Sequence, residues 1–128
     1  MADATRADVP EGHGSVGSAV SDALVKVYKE RFGRGPQNTR TLFAGDDTLV
    51  CTLQGSLTRA EHRLLAAGEH SRVRDARLYL QQAAEETLFE VIEQITGRRV
   101  WGYVCGIDTK RDVATEVFCL EPQPPGSG

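Results

Sequence analysis

The chain has 128 residues, of which about 105 can order once loose ends are set aside, enough for one domain around one core. It is 40% hydrophobic and 26% charged with a net charge of −3; that is ordinary globular composition, with no general attraction to nucleic acid or an anionic membrane surface. No run approaches the roughly 18 apolar residues that span a bilayer, and the N-terminal MADATRADVPEGHGS lacks the apolar stretch of a signal peptide. The expectation is therefore a cytoplasmic chain with no direct membrane insertion and no nucleic-acid partner.

Residues 1–15 are rich in Gly, Asp and Ala without periodicity, and 122–128 read PQPPGSG, so both ends are expected to be disordered tails around a single domain at 16–121. From Val16 to Phe32, apolar residues at Val16, Ala19, Val20, Ala23, Leu24, Val27 and Tyr28 predict one face of a helix. Gly33 and Gly35-Pro36 stop it. Thr39–Ala44 and Thr48–Gly55 read as two strands around a tight Gly45-Asp46-Asp47 turn. A short helix follows from Thr58 to Ala67. His70–Thr96 reads as one long helix, about 40 Å if unbroken, with a wide apolar stripe through Val73, Leu80, Ala84, Leu88, Val91 and Ile95, closed by Gly97. Val100–Ile107 and Val113–Leu120 form a second hairpin across Asp108–Asp112. Apolar residues on both faces of the last run suggest a central strand. The order α-β-β-α-α-β-β gives an α+β, two-layer fold. Its four-stranded, largely antiparallel sheet is made of two hairpins, with helices on one face.

The polar residues mostly have backbone duties. Thr58 and Glu61 have the spacing of a capping box, in which each side chain accepts from the other residue's backbone N–H. His62, one position on, points elsewhere on a helix, so a Thr-Glu-His catalytic set is not expected. His13, His62 and His70 show no metal-ligand spacing. Asp46-Asp47 reads as turn chemistry and Glu85-Glu86 as a solvated helix face. Cys51, Cys105 and Cys119 are an odd set in strand-like surroundings, read as reduced core thiols. The Gly-Arg-Gly-Pro loop offers Arg34, Asn38, Thr39 and Arg40 as possible contacts for an anion or small ligand, although it lacks the spacing and the strand-turn-helix order of a phosphate loop.

The long helix carries Arg72, Arg74 and Arg77 in its first half and Glu85, Glu86, Glu90 and Glu93 in its second, against the preference of the helix macrodipole. In an antiparallel pair of such helices, each basic half meets an acidic half. That pattern and the wide stripe suggest a homodimer through Arg74, Arg77, Leu80, Leu88, Glu90 and Val91.

Four segments, VYKERFGRGPQNTRT, LVCTLQGSLTRAEHRLLAAGE, LFEVIEQITGRRVWGYVCGID and EVFCLE, resemble the MpsC-like family. The shared pattern runs Gly33-x-Gly35-Pro36, Gly55-x-Leu57-Thr58-x-x-Glu61, Thr96-Gly97-Arg98-x-Val100 and Asp108, over about residues 18–120. The resemblance implies a small bacterial α/β protein tied by its family label to a sodium-translocating, membrane-potential-generating system. It brings no catalytic residues; Gly33, Gly35, Pro36, Thr58, Glu61 and Gly97 all read as helix stops and caps. The expectation is a non-enzymatic accessory or regulatory protein, a homodimer, without cofactor or metal, and with a membrane protein as a possible partner. The alternative is an anion or small-molecule sensor built on the Gly-Arg-Gly-Pro loop.

Overall fold

The computed structural model describes residues 11–123, with side chains from Ser15 onward. Most of the two expected tails, and the His13 side chain, lie outside that range. The elements are α1 (Glu11–Phe32), β1 (Asn38–Phe43), β2 (Thr48–Gln54), α2 (Arg59–Ala66), α3 (His70–Ala83), α4 (Glu85–Thr96), β3 (Val100–Asp108) and β4 (Val113–Leu120). The expected α+β fold holds. The four strands pair antiparallel in the order β1-β2-β4-β3, so β4 is central, as its two apolar faces suggested.

The sheet has one covered face. Burial alternates along β2 and β4, and the buried set is Leu49, Cys51, Leu53, Ala114, Glu116, Phe118 and Leu120. Against it pack Val20, Leu24, Val27 and Tyr28 of α1 and Leu88 and Ile92 of α4. Phe89, Tyr103 and Phe118 form an aromatic group inside this layer, with Tyr103 stacked on Phe118 at a centroid distance of 5.2 Å. The short α2 buries no side chain completely and lies against α3.

The helix stops act where the sequence put them. Gly33 and Gly97 have φ of 77° and 69°, the left-handed conformation that lets a helix end without a Cβ clash. Arg98, next in line, donates to the carbonyls of Asp46 and Glu121 and pairs with the Asp47 carboxylate. One side chain thus ties the β1–β2 turn to the end of β4. Asp108 accepts the N–H groups of Lys110 and Arg111 and so shapes the β3–β4 turn.

One expectation is corrected. His70–Thr96 is two helices, not one, interrupted at Ala84 (φ −87°, ψ 0°). The Ala84 N–H is shared between the carbonyls of Leu80 and Gln81, and Ala84's own carbonyl accepts the Leu88 N–H, so the backbone turns without losing its ladder. The interruption lets α3 follow β3 while α4 lies against α1. It also accounts for part of the odd charge order. Glu85 and Glu86 occupy the first turn of a new helix, where the macrodipole favours carboxylates.

Candidate functional site

Two buried polar centres lie on the covered side of the sheet. The first is Glu116, wholly buried on β4 between Cys51 of β2 and Cys105 of β3, its neighbours in register. Tyr28 of α1 donates to Oε2 and Tyr103 of β3 to Oε1. Gln81 of α3 donates to Oε2 at 2.9 Å. One carboxylate thus gathers two helices and an edge strand onto the central strand. Burial pushes its pKa above the usual carboxylate range; the donors Tyr103, Tyr28 and Gln81 pull the other way without cancelling that. The same burial, with Glu116 alongside, raises both tyrosines far above their ordinary range. Burial drives the Cys51 thiol up to about 12, so it stays protonated and is a poor nucleophile. Cys105 is also raised by burial. Cys105 and Cys119 are half-buried, so the expected core environment applies fully only to Cys51.

The second centre is Arg77 on α3, 1% exposed. Its guanidinium makes a two-pronged pair with Glu61, Nε to Oε2 at 2.7 Å and Nη2 to Oε1 at 2.6 Å, and donates to the Ser56 carbonyl at 2.7 Å. The Phe32 ring lies 3.9 Å beneath it. Glu61 meanwhile accepts the Thr58 N–H, and Thr58 Oγ1 accepts the Glu61 N–H, so the expected capping box is present and doubles as the anchor for Arg77. Burial alone would raise the Glu61 pKa; the hydrogen bonds from Arg77 and Thr58 outweigh it and hold the carboxyl below its ordinary value. His62 turns away, as the helix spacing required, to within 3.6 Å of Asp112. Asp112 has a left-handed φ of 55°, and its carboxylate accepts the Ser56 and Leu57 N–H groups. His70 meets Thr109 Oγ1 at 2.8 Å. Among the described residues, no group of three or more His, Cys, Asp or Glu side chains is placed to hold a metal ion.

The other expected contacts separate. Asn38 and Arg40 share the uncovered face of β1 and, with Thr52 and Gln54, line a shallow polar hollow of about 200 Å³. Thr39 has the opposite parity on the strand and its hydroxyl is buried; Arg34 is an exposed loop residue. Of the residues expected on a dimer helix, Arg77 and Leu88 face this chain's own interior. Arg74, Leu80 and Glu90 are exposed and Val91 is half-buried. Sequence reading missed Glu116, Tyr28, Tyr103 and Gln81 as one cluster. The available signal was a lone glutamate sharing strand parity with Ala114, Phe118 and Leu120, where a charge needs several donors to be tolerated.

The uncovered face of the sheet has a different character. Register aligns Leu42, Val50, Val117 and Val104 in one row across all four strands. Leu42 and Val104 are 55% and 62% exposed. The central strands present Thr48, Val50, Thr52 and Gln54, and Val113, Thr115, Val117 and Cys119, to this side, without a charge among them. Trp101, the extra residue at the bulge between Val100 and Gly102, stands 68% exposed at the end of β3.

A half-covered antiparallel sheet with polar residues locked inside and an uncharged apolar row outside defines a small α+β protein. The chain belongs to the family described as "Na+-translocating membrane potential-generating system (MpsC)", whose model matches residues 13–122. It is similar to the uncharacterized protein YrhF of Bacillus subtilis (strain 168), 28% identical over 103 residues, covering 79% of this chain and 84% of that one. No solved structure gives a significant match.

Proposed function

We propose that this protein is a non-enzymatic accessory or regulatory component of a membrane ion-transport system, acting from the cytoplasm as a homodimer and through protein–protein contact. The observation that carries this reading is the exposed apolar row Leu42–Val50–Val117–Val104 across the uncovered face of the sheet, with no charge on its two central strands, an arrangement typical of surfaces that are covered in use. Two facts give it context: the family description names a membrane-potential-generating system, and no helix among the described residues is long and apolar enough to cross a membrane. The conspicuous ionisable groups support the same reading, since Glu61, Arg77, Glu116 and Asp112 are engaged in holding backbone and helices together. Affinity capture from the native cell, with and without detergent-solubilised membranes, tests it. One membrane protein should be enriched only when membranes are present; recovery of none above a mock capture contradicts the accessory role.

The polar hollow at Asn38, Arg40, Thr52 and Gln54 favours a second reading, binding of a small anion. Phosphate or acetate at ten times its dissociation constant would then stabilise the protein by about 1.4 kcal/mol. Arg40→Ala should remove that thermal shift. A shift equal in both proteins, or none in either, rules this reading out.

A further inference from the structure

The uncovered sheet face invites a second copy of the same chain, and we propose that the protein dimerises face to face through the row Leu42–Val50–Val117–Val104. This inference rests on the reading above that the protein works through contact surfaces, and it names one partner and one surface. Three observations support it. First, the row crosses every strand at one level of the register, so a two-fold axis through its centre, lying between the sheets and parallel or perpendicular to the row, sets the row against itself. Apolar side chains of one sheet then meet those of the other at about 10 Å, the ordinary sheet-on-sheet distance. Second, with the axis along the row, the two ends of each strand exchange places. Arg40, two residues from Leu42 toward one end, is carried toward the end of the second copy that bears the acidic Asp46-Asp47 turn, and the exchange is reciprocal. All three residues are exposed. Third, the area is sufficient. Four strands at about 4.8 Å spacing and about six residues at 3.3 Å present about 400 Å² in projection, and the corrugation of side chains brings the total buried by both copies close to the roughly 1,000 Å² that a specific interface needs.

The helix layer fits a second copy less well. Its exposed apolar residues Leu64, Tyr79 and Leu80 are interspersed with exposed Arg63, Arg72, Arg74 and Asp75 and form no continuous row. Charged residues are depleted at the centres of interfaces; here charges are spread over the helix layer, whereas the central strands have none on their open face and Arg40 lies on the edge strand β1.

A small interface held by one short apolar row is expected to have a dissociation constant on the order of 10 µM. Sedimentation equilibrium and light scattering should therefore give a mass rising with concentration toward twice the 13.9 kDa of one chain. The double variant Leu42→Lys/Val104→Lys changes two side chains that are already more than half exposed, so the monomer should fold unchanged by circular dichroism. Its self-association should weaken by on the order of 100-fold. Tyr79→Lys/Leu80→Lys on α3 should leave the dimer intact. A single-chain mass at about 200 µM overturns the proposal, as does a dimer that survives the sheet variant or one that the helix variant dissolves. Membrane capture with the wild type, set beside its mass in solution, separates this inference from the accessory role. Capture by a wild-type protein that is always monomeric leaves the accessory role standing and the dimer refuted; a face-to-face dimer that captures nothing does the reverse.

Discussion

Replacing Glu116 with leucine is expected to lower stability by about 3–5 kcal/mol, enough to drop the melting temperature by on the order of 15 °C in a domain of this size. The carboxylate is the common acceptor for Tyr28, Tyr103 and Gln81. Without it, the two tyrosine hydroxyls lose their acceptor and the Gln81 amide keeps only longer contacts to Tyr28 and the Gly106 and Thr115 carbonyls; each orphaned buried group costs about 1–3 kcal/mol. The loss should be concentrated where α1, α3 and β3 meet β4, the four elements this side chain connects. Glu116→Gln is the informative comparison, because it keeps one acceptor oxygen and cannot ionise. The Glu116 pKa is raised in the folded state above its ordinary 4.5. Protonation thus favours the fold, and this contribution is complete below the unfolded value and lost as pH rises through the folded one. Relative to Glu116→Gln, the wild type should lose stability as pH rises above the ordinary carboxylate range. Urea denaturation of both proteins across that rise checks it; parallel pH dependences, or a wild type that gains on the variant as pH rises, contradict a raised pKa.

Arg77→Ala should be nearly as damaging, about 3–5 kcal/mol, because removing one member of a buried ion pair leaves the other without its counter-charge. Three contacts are lost together: the two-pronged bond to Glu61, the bond to the Ser56 carbonyl, and the stack on Phe32. Arg77→Lys should recover only part of the loss, since an ammonium cannot match the planar fork or stack on the ring in the same way. Glu61 adds a pH signature opposite to that of Glu116. Its folded pKa is depressed, so its contribution is present above the ordinary carboxylate value and lost as pH falls through the folded one. In Arg77→Met, acid unfolding below about pH 4 should begin from a lower plateau and be less steep than in the wild type. Equal steepness in the two proteins would mean that the pair contributes nothing to acid sensitivity.

These two centres show where sequence reading reached and where it stopped. The Thr58–Glu61 capping box was legible because both partners lie three residues apart on one helix start. Arg77, sixteen residues beyond Glu61, read as a surface charge on a long helix, because its Phe32, Ser56 and Glu61 contacts come from three other segments. Glu116 shared strand parity with apolar residues, yet its acceptor role depends on Tyr28 and Gln81, 88 and 35 residues away. The break at Ala84 escaped notice for a related reason. Ala83 and Ala84 are strong helix formers, and nothing local stops the helix; the packing of α3 along β3 and α4 along α1 bends it.

By itself the sequence determined what short-range physics controls: the identity and order of seven segments, all but the break at Ala84 that makes them eight, the caps and glycine stops that bound them, the pairing of strands within each hairpin, and the family. Periodicity, capping and turn chemistry act over a few residues, so they can be read without the fold. Tertiary structure alone decided that β2 and β4 lie side by side, that Arg77 and Glu116 are internal, and that Leu42, Val50, Val117 and Val104 align on an uncovered face. Each of these depends on segments far apart in the chain meeting in one register, and that register is set by the joint burial of all the apolar faces rather than by any local pattern.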